Sequence, residues 1–89
     1  MTFALVVFSS STTASRLKRL AALEQLQGVS LTQSPKAISQ NGCAYALRCP
    51  VHLLPALLAL ADRYQVKHGF VYKELTDEAG RKMYQQIRG

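Results

Sequence analysis

Hydrophobic and polar positions divide the chain into short strands and two amphipathic stretches before a mixed C-terminal segment. Phe3-Ala-Leu-Val-Val-Phe8 is β-branched and aromatic, and predicts a central strand buried on both faces. The polar run Ser9 to Thr13 offers N-caps for a helix. Leu17, Leu20, Ala21 and Leu23 follow at helical spacing, with Gly28 at a position suited to ending it. Val29-Ser-Leu-Thr32 alternates apolar and polar, as a half-exposed strand does. Gln33 to Gly42 reads as a loop, with Pro35 early in it and the turn signal Asn41-Gly42 at its end. In the third strand, Cys43 to Cys49, the residues Cys43, Tyr45, Leu47 and Cys49 share one face, and Ala44, Ala46 and Arg48 the other.

Leu53, Leu54, Leu57, Leu58, Leu60 and Ala61 predict a second helix with a wide apolar face. Two starts fit it. Pro50 at the first helical position would make Cys49 the N-cap, but leaves Pro55 inside the helix, where it clashes. A start near His52 puts Pro55 harmlessly in the first turn. Only the first arrangement sets Cys49 at a helix N-terminus, where a thiol is acidified. Lys67 to Glu74 predicts a fourth strand. Thr76-Asp-Glu then caps a last helix, with Arg81, Lys82 and Arg88 where the dipole favours cations and Met83, Tyr84 and Ile87 to pack it.

This order predicts an α+β, ferredoxin-like βαββαβ sandwich, a four-stranded antiparallel sheet with two helices on one face, plus a C-terminal helix. Residues 1–75 form the domain and 76–89 the helical extension. The fold serves carriers, sensors, RNA binders and enzymes alike, so function has to come from particular residues.

Composition narrows the classes. With 48% hydrophobic and 18% charged residues the chain can build a core, so a disordered tail is excluded. The net charge of +6 points either to an anionic partner (RNA, a phosphate group or an acidic protein surface) or to the general basicity of many small proteins, with no specific partner. Arg16, Lys18 and Arg19 sit in the first two turns of the first helix, where the macrodipole favours anions. They are either an anion-binding set, with the hydroxyls beside them, or a solvated face. The longest apolar run, Val51 to Ala61, is broken by Pro55 and is short of the ~20 residues a span needs, so no membrane partner is expected. Met1 to Phe8 lacks a basic lead and a cleavage pattern. Two cysteines are too few for a disulfide scaffold, and the expectation is a reduced, cytoplasmic protein.

Chemistry has few carriers here. Cys49-x-x-His52 has ligand-like spacing, with Cys43 and His68 as further donors, but one weak pair makes no metal site. No carboxylate pairs with a histidine, so a carrier or binder is expected rather than a turnover enzyme. RNA recognition through the sheet would use Tyr45 with Phe3 or Phe8, though the dense aromatic pattern of such domains is absent. Cys43, behind a glycine turn and with Lys36 and Arg48 nearby in sequence, suits an exposed, electropositive thiol; it equally suits the buried start of a core strand. Along one strand Cys43 and Cys49 would lie roughly 20 Å apart, too far to bridge.

Pro35-Lys36-Ala37-Ile38-Ser39, followed by Cys43-Ala44-Tyr45-Ala46-Leu47-Arg48, resembles the selenium/sulfur carrier protein-like family of small prokaryotic domains. That family's pattern is a Pro-Arg-x-Ile-Ser loop and then Cys-Gly-x-Ala-Leu-Arg opening a strand; the likeness runs loosely from Phe3 to about Tyr72. Ala44 stands where the family has glycine and Lys36 where arginine is common, and the loop before Cys43 is slightly longer. The resemblance implies that Cys43 carries sulfur or selenium as a persulfide or perselenide, with no cofactor. Lys36, Ser39 and Arg48 take the binding positions. A donor such as a cysteine desulfurase and an acceptor protein are the implied partners. Leu47-Arg48-Cys49-Pro50 also resembles the Cys-Pro-x-Pro start of another sulfur-relay family, with His52 in place of its second proline, which makes Cys49 a candidate second thiol. Exposed strand edges and the extra helix allow a homodimer. The competing expectation is a basic module that binds RNA or an acidic protein with no thiol chemistry.

Overall fold

The structure, a computed structural model, describes residues 2–35 and 45–88. Its elements are β1 (Phe3–Phe8), α1 (Ser11–Leu23), β2 (Ser30–Gln33), β3 (Tyr45–Pro50), a single 3-10 turn (Val51–Leu53), α2 (Leu54–Arg63), β4 (Val71–Thr76) and β5 (Lys82–Arg88). The strands form one antiparallel sheet in the order β2-β3-β1-β4-β5.

The apolar β1 takes the centre, where a strand can bury both faces. Ala4, Val6 and Phe8 meet Leu47, Cys49 and Val71 under the leucines of α2 and the Ala14, Leu17 and Ala21 stripe of α1. Leu5 and Val7 point the other way, with Ala46, and pack beneath Tyr72 and Tyr84. Ahead of β4, the chain already bonds to β1: Gly69 N–H donates to Val7 C=O at 2.7 Å and Val7 N–H to Phe70 C=O at 3.2 Å. The strand expected from Lys67 therefore begins at Val71 and runs on to Thr76.

Ser10 caps α1 as the hydroxyl run suggested. Its backbone is extended and its side chain accepts from Thr12 N–H at 3.2 Å. The helix stops well before Gly28. Gln25 takes the left-handed conformation (φ 61°), its N–H bonds to Ala22 C=O at 3.0 Å, and Leu26 N–H reaches Ala21 C=O at 2.9 Å. α2 ends the same way, with Gln65 (φ 55°) donating to Asp62 C=O at 3.2 Å and Val66 to Ala61 C=O at 2.8 Å. Both are Schellman endings with glutamine where glycine is usual. In each, an apolar residue (Leu26 or Val66) folds back onto the core. Gly28 (φ 90°) makes its own turn, where an added Cβ would lie 3.2 Å from the Pro50 ring.

The expected C-terminal helix is a strand. Asp77, read from sequence as part of a helix cap, instead organises a hairpin. Its N–H donates to Arg81 C=O at 2.9 Å, and its carboxylate accepts from Arg81 N–H at 2.8 Å and from Arg81 Nε at 3.0 Å. Gly80, at φ 81°, turns the chain back. A helix so short is marginal alone, whereas the free edge of β4 satisfies the backbone of Lys82 to Arg88, from Thr76↔Lys82 to Val71↔Arg88 with one bulge. The sheet is thus five-stranded, not the four-stranded ferredoxin-like sandwich with a terminal helix, and residues 82–88 belong to it. Among the described residues no helix is long and apolar enough to cross a membrane.

Candidate functional site

The two thiols separate at once. Cys49 sits in β3 opposite Ala4, on the face that the helices cover, with no exposed surface. Burial pushes its thiol up to about 11. The helix entrance does nothing to offset this, because the 3-10 turn intervenes and α2 starts at Leu54 with Pro55 in its first turn. Of the two starts read from sequence, the one near His52 is the one adopted. Cys49 is consequently a neutral core side chain, not an accessible second thiol. Cys43, Lys36 and Ser39 lie outside the described residues, as do Ala44 and the Asn41-Gly42 turn. The first described residue after them, Tyr45, opens β3 opposite Phe8 on one side and Gln33 on the other.

Arg48 alternates onto the face opposite Cys49 and is committed there. Its Nη2 lies 3.1 Å from Glu74 Oε1, and its guanidinium carbon stands 3.6 Å over the Phe3 ring. Lys82 Nζ approaches the same Glu74 oxygen at 3.8 Å. Tyr84, directly across from Glu74, has its phenol pKa raised by burial and by the carboxylate beside it. Glu74 is only 8% exposed while Arg48 keeps 33%, so a nearly buried carboxylate is held by two partly solvated cations. The cluster takes one residue or more from each of β3, β1, β4 and β5. Its hub was missed from sequence, since Glu74 reads locally as an ordinary exposed strand position.

The α1 cations are partly gathered. Arg16 and Arg19 line a surface cavity of about 430 Å³ with Ser11, Thr12 and Ser15; Lys18 is exposed and not part of that lining. His52 is exposed in the 3-10 turn, and among the described residues no group of three His, Cys, Asp or Glu could hold a metal. Of the aromatics considered for RNA, Tyr45 shares a face with Phe8 but not with Phe3, and that face is the one the helices cover. Phe8 is buried and Tyr45 packs on the same helix-side core, while Phe3 lies on the other side beneath Arg48.

One further concavity was not foreseen. Phe8, Ser9, Thr13, Lys67, His68 and Gly69 enclose about 340 Å³ at the end of the sheet where β1 leads into α1. His68 Nδ1 lies 2.8 Å from Gly69 C=O, and its ring meets Phe8 edge-on at 6.5 Å. In sequence Lys67-His68-Gly69 opened the fourth strand, with His68 read only as a further metal-donor candidate.

No family model matches the chain, and no curated protein or solved structure matches it either.

Proposed function

We propose that the chain is a small sulfur or selenium carrier with Cys43 as the carrying thiol. The observation that supports this assignment is the burial of Cys49. Of the two cysteines in the sequence, one is sealed in the core with its pKa raised to about 11, so transfer chemistry falls to the other. The resemblance around Pro35 to Ser39 and Cys43 to Arg48 points to the same residue.

The chemistry balances without an external oxidant. Cys43 thiolate attacks the terminal sulfur of a donor persulfide; the donor's S–S bond breaks, its thiolate leaves, and Cys43 holds the new persulfide. An acceptor thiolate then attacks that terminal sulfur and Cys43 departs as thiolate. Selenium follows the same course as a perselenide. Lys36 and Ser39, on the segment with Cys43, are the proposed stabilisers of the anion. Arg48 is tied to Glu74 and Phe3, so its part is to hold the sheet. The reading goes with a reducing, cytoplasmic compartment and with a cysteine desulfurase as donor.

Intact mass after incubation with a cysteine desulfurase and cysteine or selenocysteine, without reductant, tests it. A one-atom adduct present in wild type and Cys49→Ser and absent from Cys43→Ser supports the carrier. The absence of any adduct on wild type would end the idea and leave a basic binding module, for which the net charge of +6 speaks. That module would bind RNA or an acidic protein in a salt-dependent way after both cysteines are replaced.

A further inference from the structure

The cavity at the β1–α1 junction shares a cation and hydroxyls with the α1 cavity of Arg16 and Arg19, and adds an imidazole that the α1 cavity lacks. The groove between the helices, lined by Leu26, Ala56, Ala59 and Leu60, is flanked by Glu24 and Arg63, which face each other at 4.0 Å and neutralise one another. At the β1–α1 junction no carboxylate lines the space among the described residues. Lys67 contributes a cation, and Ser9 and Thr13 contribute hydroxyls. Asp62 lines the adjoining cleft that shares Lys67 and His68.

His68 is held in a defined orientation. A carbonyl oxygen only accepts, so the 2.8 Å contact with Gly69 C=O requires the proton on Nδ1 and leaves Nε2 as the ring atom available to a ligand. The ring's edge-on seat against Phe8, a side chain with 1% of its surface exposed, fixes its plane. A volume of about 340 Å³ lies at the lower end of the range of small-ligand sites and exceeds the needs of a single ion.

We infer that this cavity binds a phosphorylated small molecule, its phosphate held by Lys67 and the hydroxyls of Ser9 and Thr13, and its body set against the His68 ring. The ammonium carries three donors and the hydroxyls one each. A phosphate, with three terminal oxygens, uses them; a carboxylate, with two, leaves donors idle. The site uses none of the residues proposed for the carrier chemistry and keeps its ligand when Cys43 is replaced.

The test is an amide-resolved NMR titration of the full chain with inorganic phosphate, with acetate at matched ionic strength as comparison, repeated on Lys67→Gln and Cys43→Ser. Phosphate is expected to give saturable shifts at Ser9, Thr13, Lys67, His68 and Gly69, unchanged in Cys43→Ser. Lys67→Gln weakens the binding roughly tenfold or more, the effect of losing a charge-assisted hydrogen bond. Equal response to acetate overturns the choice of phosphate. Shifts centred on Ser11, Thr12, Arg16 and Arg19, indifference to Lys67→Gln, or no saturable shift at all overturn the site.

Discussion

Cys49 makes stability depend on pH in a way that one substitution isolates. A free thiol of this kind titrates near 9.0, and the buried one near 11. Below pH 9 both folded and unfolded chains hold the proton, so the thiol costs nothing. Above it the unfolded chain loses the proton while the folded chain keeps it, and stability falls by ~1.36 kcal/mol per pH unit. The decline ends as pH passes about 11, a total of roughly 2–3 kcal/mol for a shift of this size. Cys49→Ala removes the titration and costs packing in a site with no exposed surface, about 1–2 kcal/mol. Near pH 7 wild type is therefore the more stable chain by about that amount. By roughly pH 10.5 the order reverses or the gap closes, since about 2 kcal/mol of the wild-type advantage has gone. Urea unfolding of both chains under reductant, at steps from pH 7 upward, reads the difference directly. All other groups are common to both chains and cancel. Two parallel curves would refute the reasoning, because they would mean that Cys49 already meets solvent in the folded state.

Three other outcomes follow from the geometry. Gln25→Gly and Gln65→Gly should each raise stability by about 0.5–1 kcal/mol in denaturant unfolding, because each relieves a left-handed residue at a helix end. Arg48→Ala should cost about 2 kcal/mol, discounted from a fully buried pair because a third of the arginine is solvated, and Arg48→Ala with Glu74→Gln should cost less than the sum of the two. Gly80→Ala, at φ 81° with open space around it, should lose about 1 kcal/mol through backbone strain alone and speed amide exchange in β5.

Elements dictated by near neighbours were legible in the sequence. The β-branched run of β1, the Ser10 cap and the leucine stripe of α2 each follow from side chains a few positions apart. So does the conflict between Pro50 and Pro55, which physics resolves in favour of the later start. Other features depend on partners far along the chain. Thr76-Asp-Glu satisfies a helix cap and a hairpin turn equally well, and only the vacant edge of β4 decides between them. Helix ends at Gln25 and Gln65 could not be read, because the return of Leu26 and Val66 to the core outweighs the local cost of a left-handed glutamine. The candidate site divides in the same way. Alternation predicted that Arg48 and Cys49 face apart, but not that Glu74, from the other side of β1, would claim the arginine. Cys43, Lys36 and Ser39 rest on the sequence reading.

The Glu74 cluster implies a chronology for folding. β4 and β5 are joined by a short turn, whereas β3 reaches β4's neighbour only after long stretches of chain have been ordered. Closing a short loop costs less entropy, so the last two strands can pair early. Glu74 then meets Lys82 and Tyr84 while still largely hydrated, and its arginine arrives when the central strands zip together. The C-terminal strand thus acts as a chaperone for a charge that the finished sheet will enclose. A chain shortened before Lys82 would lose that escort as well as an edge.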